Sequence, residues 1–225
     1  MRRLHNFQLS PPCRKVRLVL GEKKLAFESI SERPWESRAG DLVNHDPSAQ
    51  LPVLIEEGDV AISDSQAIVE YIEETHPAPP LMPKHPADRA EVRRLAAWFD
   101  RFFFDEVSSV VVREKLFKRY RAHGQSREPN LQALRASLEA LRVHLEFIGK
   151  LAESRDFLAG AMSVADFTAA AHLSCVDYFG DVPWDDYPRA SEWYARLKSR
   201  PCFRPLLADL LPGFPPAPEY ANLDF

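Results

Sequence analysis

Five prolines fall within His76-Pro77-Ala78-Pro79-Pro80-Leu81-Met82-Pro83-Lys84-His85-Pro86. Each lacks an amide proton, fixes its own φ and biases the residue before it away from the helical region. Neither a helix nor a central strand can pass through such a run. The chain is therefore expected to divide there, into a domain at 1–76, a linker at 77–86 and a second domain at 87–225. The full length of 225 residues suits two small domains.

The first segment changes its hydrophobic period several times. Residues 3–7 alternate loosely and run into Gln8-Leu9-Ser10-Pro11-Pro12, so a short strand hands over to a helix with Pro in its first turn. Val16, Leu18, Val19 and Leu20 supply the apolar face of that helix, with Arg14, Lys15 and Arg17 on the polar one. Phe27-Glu28-Ser29-Ile30 is a strand candidate, and Pro34-Trp35 opens a weak helical stretch that ends before Asp46-Pro47. Residues 52–62 hold two short strands around Glu57-Gly58-Asp59, a turn that glycine permits. Ser63 or Asp64 can then cap a helix whose buried side carries Ala67, Ile68, Tyr71 and Ile72. The order β-α-β-α-β-β-α results, which is that of an α/β domain.

Beyond the linker the period is helical throughout. A long helix is expected from about 87 to 122, interrupted by the β-branched Val110 to Val112 and stopped by His123-Gly124-Gln125-Ser126. A second fits Asn130 to Leu151, where Leu131, Leu134, Leu138, Leu141, Leu145 and Ile148 recur at helical spacing. Ser163 and Asp166 form a capping box. Behind it, Ala165, Phe167, Ala169 to Ala171 and Leu173 make a helix that is apolar on every side, as a central helix must be. Shorter helices near 190–199 and 203–210 precede a Pro-rich tail, so this segment is all-α.

Composition excludes several functions. Hydrophobic residues at 45% and charged residues at 28% can build a packed core. A net charge of −4 disfavours a polyanion as the main partner, so no nucleic-acid binding is expected. No run approaches the ~18 apolar residues of a membrane span, and the start lacks an apolar signal core. A soluble, cytoplasmic protein without membrane attachment is the expectation. Cys13, Cys175 and Cys202 are scattered as reduced thiols would be, and the seven histidines have no ligand spacing, so no metal is expected. Glu56-Glu57 beside the turn reads as solvent-facing charge.

Three segments carry candidate chemistry. Ser10 stands where the first strand meets the first helix, facing amide protons that favour an anion and lower the pKa of a thiol bound nearby. Ser10-Pro11-Pro12-Cys13 is Cys-x-x-Cys with its first thiol replaced by a hydroxyl that could donate to a thiolate. The same residues equally allow Ser10 to cap the helix and Cys13 to fill the core. In Gln50-Leu51-Pro52-Val53 a cis proline at a strand start would leave the Leu51 backbone free to pair with an extended peptide. Asp64-Ser65 offers helix amides and a hydroxyl to a carboxylate, and Asp64 could accept from an ammonium group. A ligand with a thiol, a peptide backbone and an α-amino acid end would satisfy all three.

Together, Ser10-Pro11-Pro12-Cys13-Arg14-Lys15-Val16-Arg17-Leu18, Asn44-His45-Asp46-Pro47 with Leu51-Pro52-Val53-Leu54, Asp64-Ser65-Gln66-Ala67-Ile68 and Ser163 to Asp166 resemble the glutathione S-transferase family over essentially the whole chain. The resemblance implies a thioredoxin-like N-terminal domain, an all-helical C-terminal domain and a homodimer. It implies glutathione as ligand or substrate, a catalytic position at Ser10, and glutathione contacts at Leu51, Pro52, Asp64 and Ser65; Cys13 is the catalytic candidate of a lesser reading, thiol-disulfide exchange, which a Ser at the more exposed position disfavours. A small electrophilic substrate or a partner would meet Trp35, Trp98, Phe102 and Phe103 between the domains. Gln50, Leu51 and Asp64 depart from the family's commoner residues.

The C-terminal third carries a narrower likeness. Gly180-Asp181-Val182-Pro183-Trp184, residues 193–201, Phe203-Arg204-Pro205-Leu206-Leu207 and the ending Tyr220-Ala221-Asn222-Leu223-Asp224-Phe225 are similar to an alphaproteobacterial branch of that family that binds the tubulin-like division protein FtsZ. Two functions therefore compete: an FtsZ-binding division protein, and a Ser-type enzyme conjugating glutathione to an electrophile. The tail is either a partner-binding end or a strap over the protein's own core. The basic run Arg113, Lys115, Lys118, Arg119 and Arg121, interleaved with Phe117 and Tyr120, is either a surface for an acidic partner or a solvated helix face.

Overall fold

Short alternating segments build a mixed sheet of β1 (Arg3–Asn6), β2 (Glu28–Ser31), β3 (Val53–Ile55) and β4 (Ala61–Ser63), in the order β2-β1-β3-β4. The computed structural model describes residues 1–35, 50–120 and 127–223. The expected helical stretch after Trp35, the Asn44 to Pro47 motif, Arg121, the His123 to Ser126 stop and the final Asp224-Phe225 lie outside the described residues. β1 and β2 are parallel, with His5 opposite Ile30, because α1 (Pro11–Glu22) carries the chain back between them. β3 is antiparallel to both β1 and β4. The β3–β4 turn needs left-handed backbone, which Gly58 supplies at φ +86 and Asp59 continues at φ +60. α2 (Ser65–Thr75) begins at Asp64, whose carboxylate accepts from the Gln66 and Ala67 amides at 2.8 and 3.0 Å.

Residues 76–85 form no helix or strand, and α3 (Pro86–Trp98) follows with Pro in its first turn. The chain then continues as wider π-helical turns (Phe99–Ser108), α4 (Ser109–Lys115) and a tight turn at Phe117–Tyr120. The break expected at Val110 to Val112 is absent. Those valines sit inside α4 with Val111 and Val112 buried, and their helix-propensity deficit of a few tenths of a kcal/mol is smaller than the ~1.5 kcal/mol that burying each side chain contributes. α5 (Leu131–Ala152) is capped by Asn130. α6 (Val164–Asp177) is buried along its whole length, as its all-round apolar sequence requires, and α7 (Pro188–Lys198) and α8 (Arg204–Leu207) complete the helical layer. Among the described residues a main core runs through both layers, joining Leu4 and Ile68 to Leu95, Phe99, Phe167 and Trp193, and a smaller cluster gathers Phe7, Leu9, Leu116, Tyr178 and Tyr220.

The polar face expected on α1 is not a solvent face. Arg14 and Lys15 are fully buried, because α1 packs against α6 as well as α2. A buried charge persists only when paired and hydrogen-bonded, and both are. Arg14 donates to the Gln8 carbonyl at 2.7 Å, Ser174 Oγ at 2.8 Å, Tyr220 Oη at 2.9 Å and Asp209 at 3.2 Å. Lys15 Nζ reaches Asp100 at 2.6 Å and Gln66 at 2.9 Å. As far as Tyr220 the tail is a strap, with Tyr220 buried against Arg14; beyond it Leu223 is exposed, and the terminus expected to offer an aromatic end lies outside the described residues.

Among the described residues of the basic run, which spans α4 and the turn after it, Arg113, Lys115 and Lys118 are paired within the chain. Lys115 pairs with Asp181 at 2.6 Å, and Arg113 and Lys118 converge on the buried Glu114. Burial alone would raise the Glu114 carboxyl, but hydrogen bonds from Lys118, the Asn130 amide and Arg113 outweigh it and hold the pKa at about 2, against an ordinary 4.5. Because the folded value lies below the unfolded one, the stabilisation is complete above pH 4.5 and is lost as pH falls toward 2. Glu114→Gln is expected to flatten the acid limb of stability in that interval, read as urea midpoints against pH. Glu56 and Glu57 pair with Arg2 and the terminal amine. Among the described residues no helix is long and apolar enough to cross a membrane, and no cluster of metal-ligating side chains occurs.

Candidate functional site

Among the described residues, clefts open where the sheet meets the helices, and two of them hold the candidate residues. The first, of about 650 Å³, is lined by Leu51, Asp64, Ser65 and Gln66 from one side and by Arg93, Asp100, Arg101 and Phe104 from the other. The Leu51–Pro52 bond at its edge is cis. Of the three segments expected to converge, Leu51 and the Asp64-Ser65 dipeptide line this cleft, whereas Ser10 and Pro52 are not among its lining residues. Asp64 spends its Oδ1 on the α2 cap, with the residue held at φ +72. The floor is set by Asp100: burial would raise its carboxyl, but Lys15 and His172 hold it below the usual range. His172 is fully buried, its pKa pushed down by desolvation, with Nδ1 on Ser108 Oγ at 2.9 Å and Nε2 on Asp100 at 3.4 Å. No sequence signal pointed to this Lys15–Asp100–His172 chain, because its members are brought together from α1, the π-helical turns and α6.

Pro12 is the residue of the Ser10 to Cys13 turn that lines this cleft. Ser10 holds the position before α1, yet its hydroxyl makes no capping bond. Cys13 is fully buried, and desolvation pushes its thiol up to about 11, although hydrogen bonds from Ser10 and the Phe7 amide pull the other way. A thiol so placed stays protonated near neutrality.

The second cleft, of about 470 Å³, is lined by Phe7, Gln8, Glu32, Trp35, Tyr120 and, from the tail, Leu211 and Pro212. Trp35 stacks on Tyr120 with ring centroids 4.0 Å apart and planes 5° apart, and meets Phe7 edge-on at 5.5 Å. Trp98 and Phe102 do not join it, contrary to the expectation of one aromatic border. They pack with each other at 5.1 Å, Trp98 also meets Phe147 at 4.9 Å, and Phe102 is 53% exposed. Phe103 turns into the core. The helix face that carries Ala97, Asp100 and Phe104 to the first cleft necessarily turns Trp98 and Phe102 away from it. Phe7, Tyr120, Leu211 and Pro212 were missed as cleft residues; the aromatic residues interleaved in the basic run were the available signal.

A four-stranded mixed sheet with a cis-proline turn and an acid-serine helix start, packed on an all-helical domain, defines the class. The glutathione S-transferase N-terminal domain model matches residues 4–80, and a glutathione S-transferase from Rhodospirillum rubrum superposes over the full length of both chains with a TM-score of 0.95 and 47% identity. The chain belongs to the glutathione S-transferase family. Its particular likeness is to FtsZ-localized protein A of Caulobacter vibrioides, with 51% identity over 100% of this chain and 98% of that protein. A glutathione S-transferase from Methylobacterium radiotolerans, solved in complex with glutathione sulfonate, superposes with a TM-score of 0.74 at 29% identity, covering 96% of this chain and 95% of that one.

Proposed function

We propose that the chain is a cell-division protein that binds FtsZ polymers, working as a cytoplasmic homodimer with domains at 1–76 and 87–225. The observation that carries this reading is the full-length 51% identity to FtsZ-localized protein A. Two features support it. The Cys13 thiol is buried and pushed up to about 11 by desolvation, and Ser10 hydrogen-bonds to it, so the Ser10 to Cys13 turn offers no reactive thiol that would compete with a docking role. An aromatic cleft with its Trp35–Tyr120 stack stands at the surface, Tyr120 being 36% exposed, and aromatic residues of this kind anchor protein partners. The polymer docks over Trp35 and Tyr120. Co-sedimentation with FtsZ polymers tests the reading; saturable binding near micromolar concentration is expected, and none there overturns it.

A second reading, conjugation of glutathione to a small electrophile, is favoured by the first cleft and by the glutathione sulfonate held by the Methylobacterium neighbour. In it, Leu51 and Pro52 hold the peptide backbone, Asp64 and Ser65 the γ-glutamyl end, and Ser10 turns from Cys13 to donate to the thiolate. Ser10→Ala is then expected to lower kcat/KM for an aromatic halide about a hundredfold. Absence of conjugation by the wild type, or an unimpaired variant, removes this reading.

A further inference from the structure

The C-terminal strap touches the aromatic cleft and the core at once. Leu211 and Pro212 form part of the cleft wall. Phe214 lies 6.0 Å from the Tyr120 ring, with the Arg119 guanidinium 4.8 Å from its own ring centre. The strap has little regular structure of its own, a Leu211–Phe214 bridge and a tight turn at Pro218–Ala221. A segment of this kind keeps its shape only through what it is tied to.

Tyr178, at the end of α6, supplies those ties. Its hydroxyl donates to the Phe214 carbonyl at 2.6 Å and accepts from the Leu211 amide at 3.3 Å. Its own carbonyl accepts from the Ala217 amide at 2.8 Å, and its ring meets Tyr220 edge-on at 5.2 Å. Gly180 adds room: its φ is +72, and a Cβ there would stand 3.0 Å from that of Ala217. Farther on, Tyr220 accepts from Arg14 at 2.9 Å and donates to the Leu206 carbonyl at 3.1 Å.

We propose that Tyr178 is a positioning residue for the aromatic cleft: it pins the strap so that Leu211 and Pro212 form a fixed wall beside Trp35 and Tyr120, with Phe214 against the Tyr120 ring, and tight docking requires that wall. The inference rests on polymer docking at this cleft. An unpinned wall has to be ordered at the moment of binding, which weakens affinity without removing a contact.

The test uses the full chain as Tyr178→Phe and, separately, Gly180→Ala, which disturbs the strap while keeping the tyrosine hydroxyl. Hydrogen–deuterium exchange across 209–222, co-sedimentation with FtsZ polymers and helical circular dichroism are measured for each. Exchange at Leu211 and Ala217 is expected to quicken about tenfold, and the apparent Kd to rise about tenfold, with the helical signal unchanged. Faster exchange with unchanged affinity means that Tyr178 is merely structural, and this overturns the proposal; so does unchanged exchange in both variants. Wild-type chain that binds no polymer overturns the docking reading itself and the proposal with it. Binding by wild type with unaffected variants removes only the role of Tyr178. Should Tyr178→Phe fail to fold, Gly180→Ala decides between the same outcomes by the same three measurements.

Discussion

Trp35→Ala is expected to weaken binding to FtsZ polymers by at least about thirtyfold, equivalent to about 2 kcal/mol, the scale of a central aromatic anchor. Trp35 is half-buried, so its ring has a share in packing and a share in solvent. Removing it deletes the face on which Tyr120 stacks at 4.0 Å and the edge contact with Phe7 at 5.5 Å. An aromatic pair of this kind contributes about 1 kcal/mol beyond its buried area, so some loss of stability accompanies the loss of binding, and Trp35→Phe separates the two. Phenylalanine can keep much of the packing with Phe7 and Phe117 while presenting less area to a partner. Co-sedimentation isotherms and melting curves of both variants make the check. An alanine variant that binds polymers as the wild type does would move the docking site elsewhere on the molecule.

Asp166→Ala is expected to be strongly destabilising in the helical domain. One fully buried carboxylate accepts from the Leu158 amide at 2.8 Å, the Ser163 amide at 2.9 Å, and the Ser163 hydroxyl and Trp193 indole at 3.0 Å. Deleting it strands several buried donors at once, each costing about 1–3 kcal/mol when left unpaired. With partial relaxation, a loss of about 4 kcal/mol is expected, lowering Tm by about 10 °C in a chain of this size. Asp166→Asn, which keeps one acceptor oxygen, should fall between. Calorimetry on the three proteins reads the order directly, and an alanine variant within about 1 kcal/mol of wild type would mean that the capping box contributes little.

Features whose physics is local were legible in the sequence. The capping box at Ser163 and Asp166, the Asp64 cap, the strand–turn–strand around Gly58 and the central helix at 164–177 each depend on neighbours a few residues away, and each formed near its expected bounds. The π-helical stretch at Phe99–Ser108 was not legible, because its residues have ordinary helical periodicity, and the valine run that was read as a break lies beyond it, inside α4. Site residues divided in the same way. The edge residue Leu51, Asp64 and Ser65 follow from turn and cap chemistry and do line one cleft. Trp98 and Phe102 share only a residue type with Trp35, and residue type says nothing about which face of a helix meets which partner.

By itself, then, the amino-acid order determined where most helices and turns begin, because caps, turns and hydrophobic period act between near neighbours, and its motifs carried the resemblance to the family. Only the folded chain decided that Arg14 and Lys15 are interior charges, that Cys13 is a core thiol, and that the tail closes over Arg14 to complete the cleft beside Trp35. Arg14 meets Ser174, Asp209 and Tyr220 across most of the length of the chain. A side chain's partner at that separation is set by the packing of whole layers, which no short window of sequence contains.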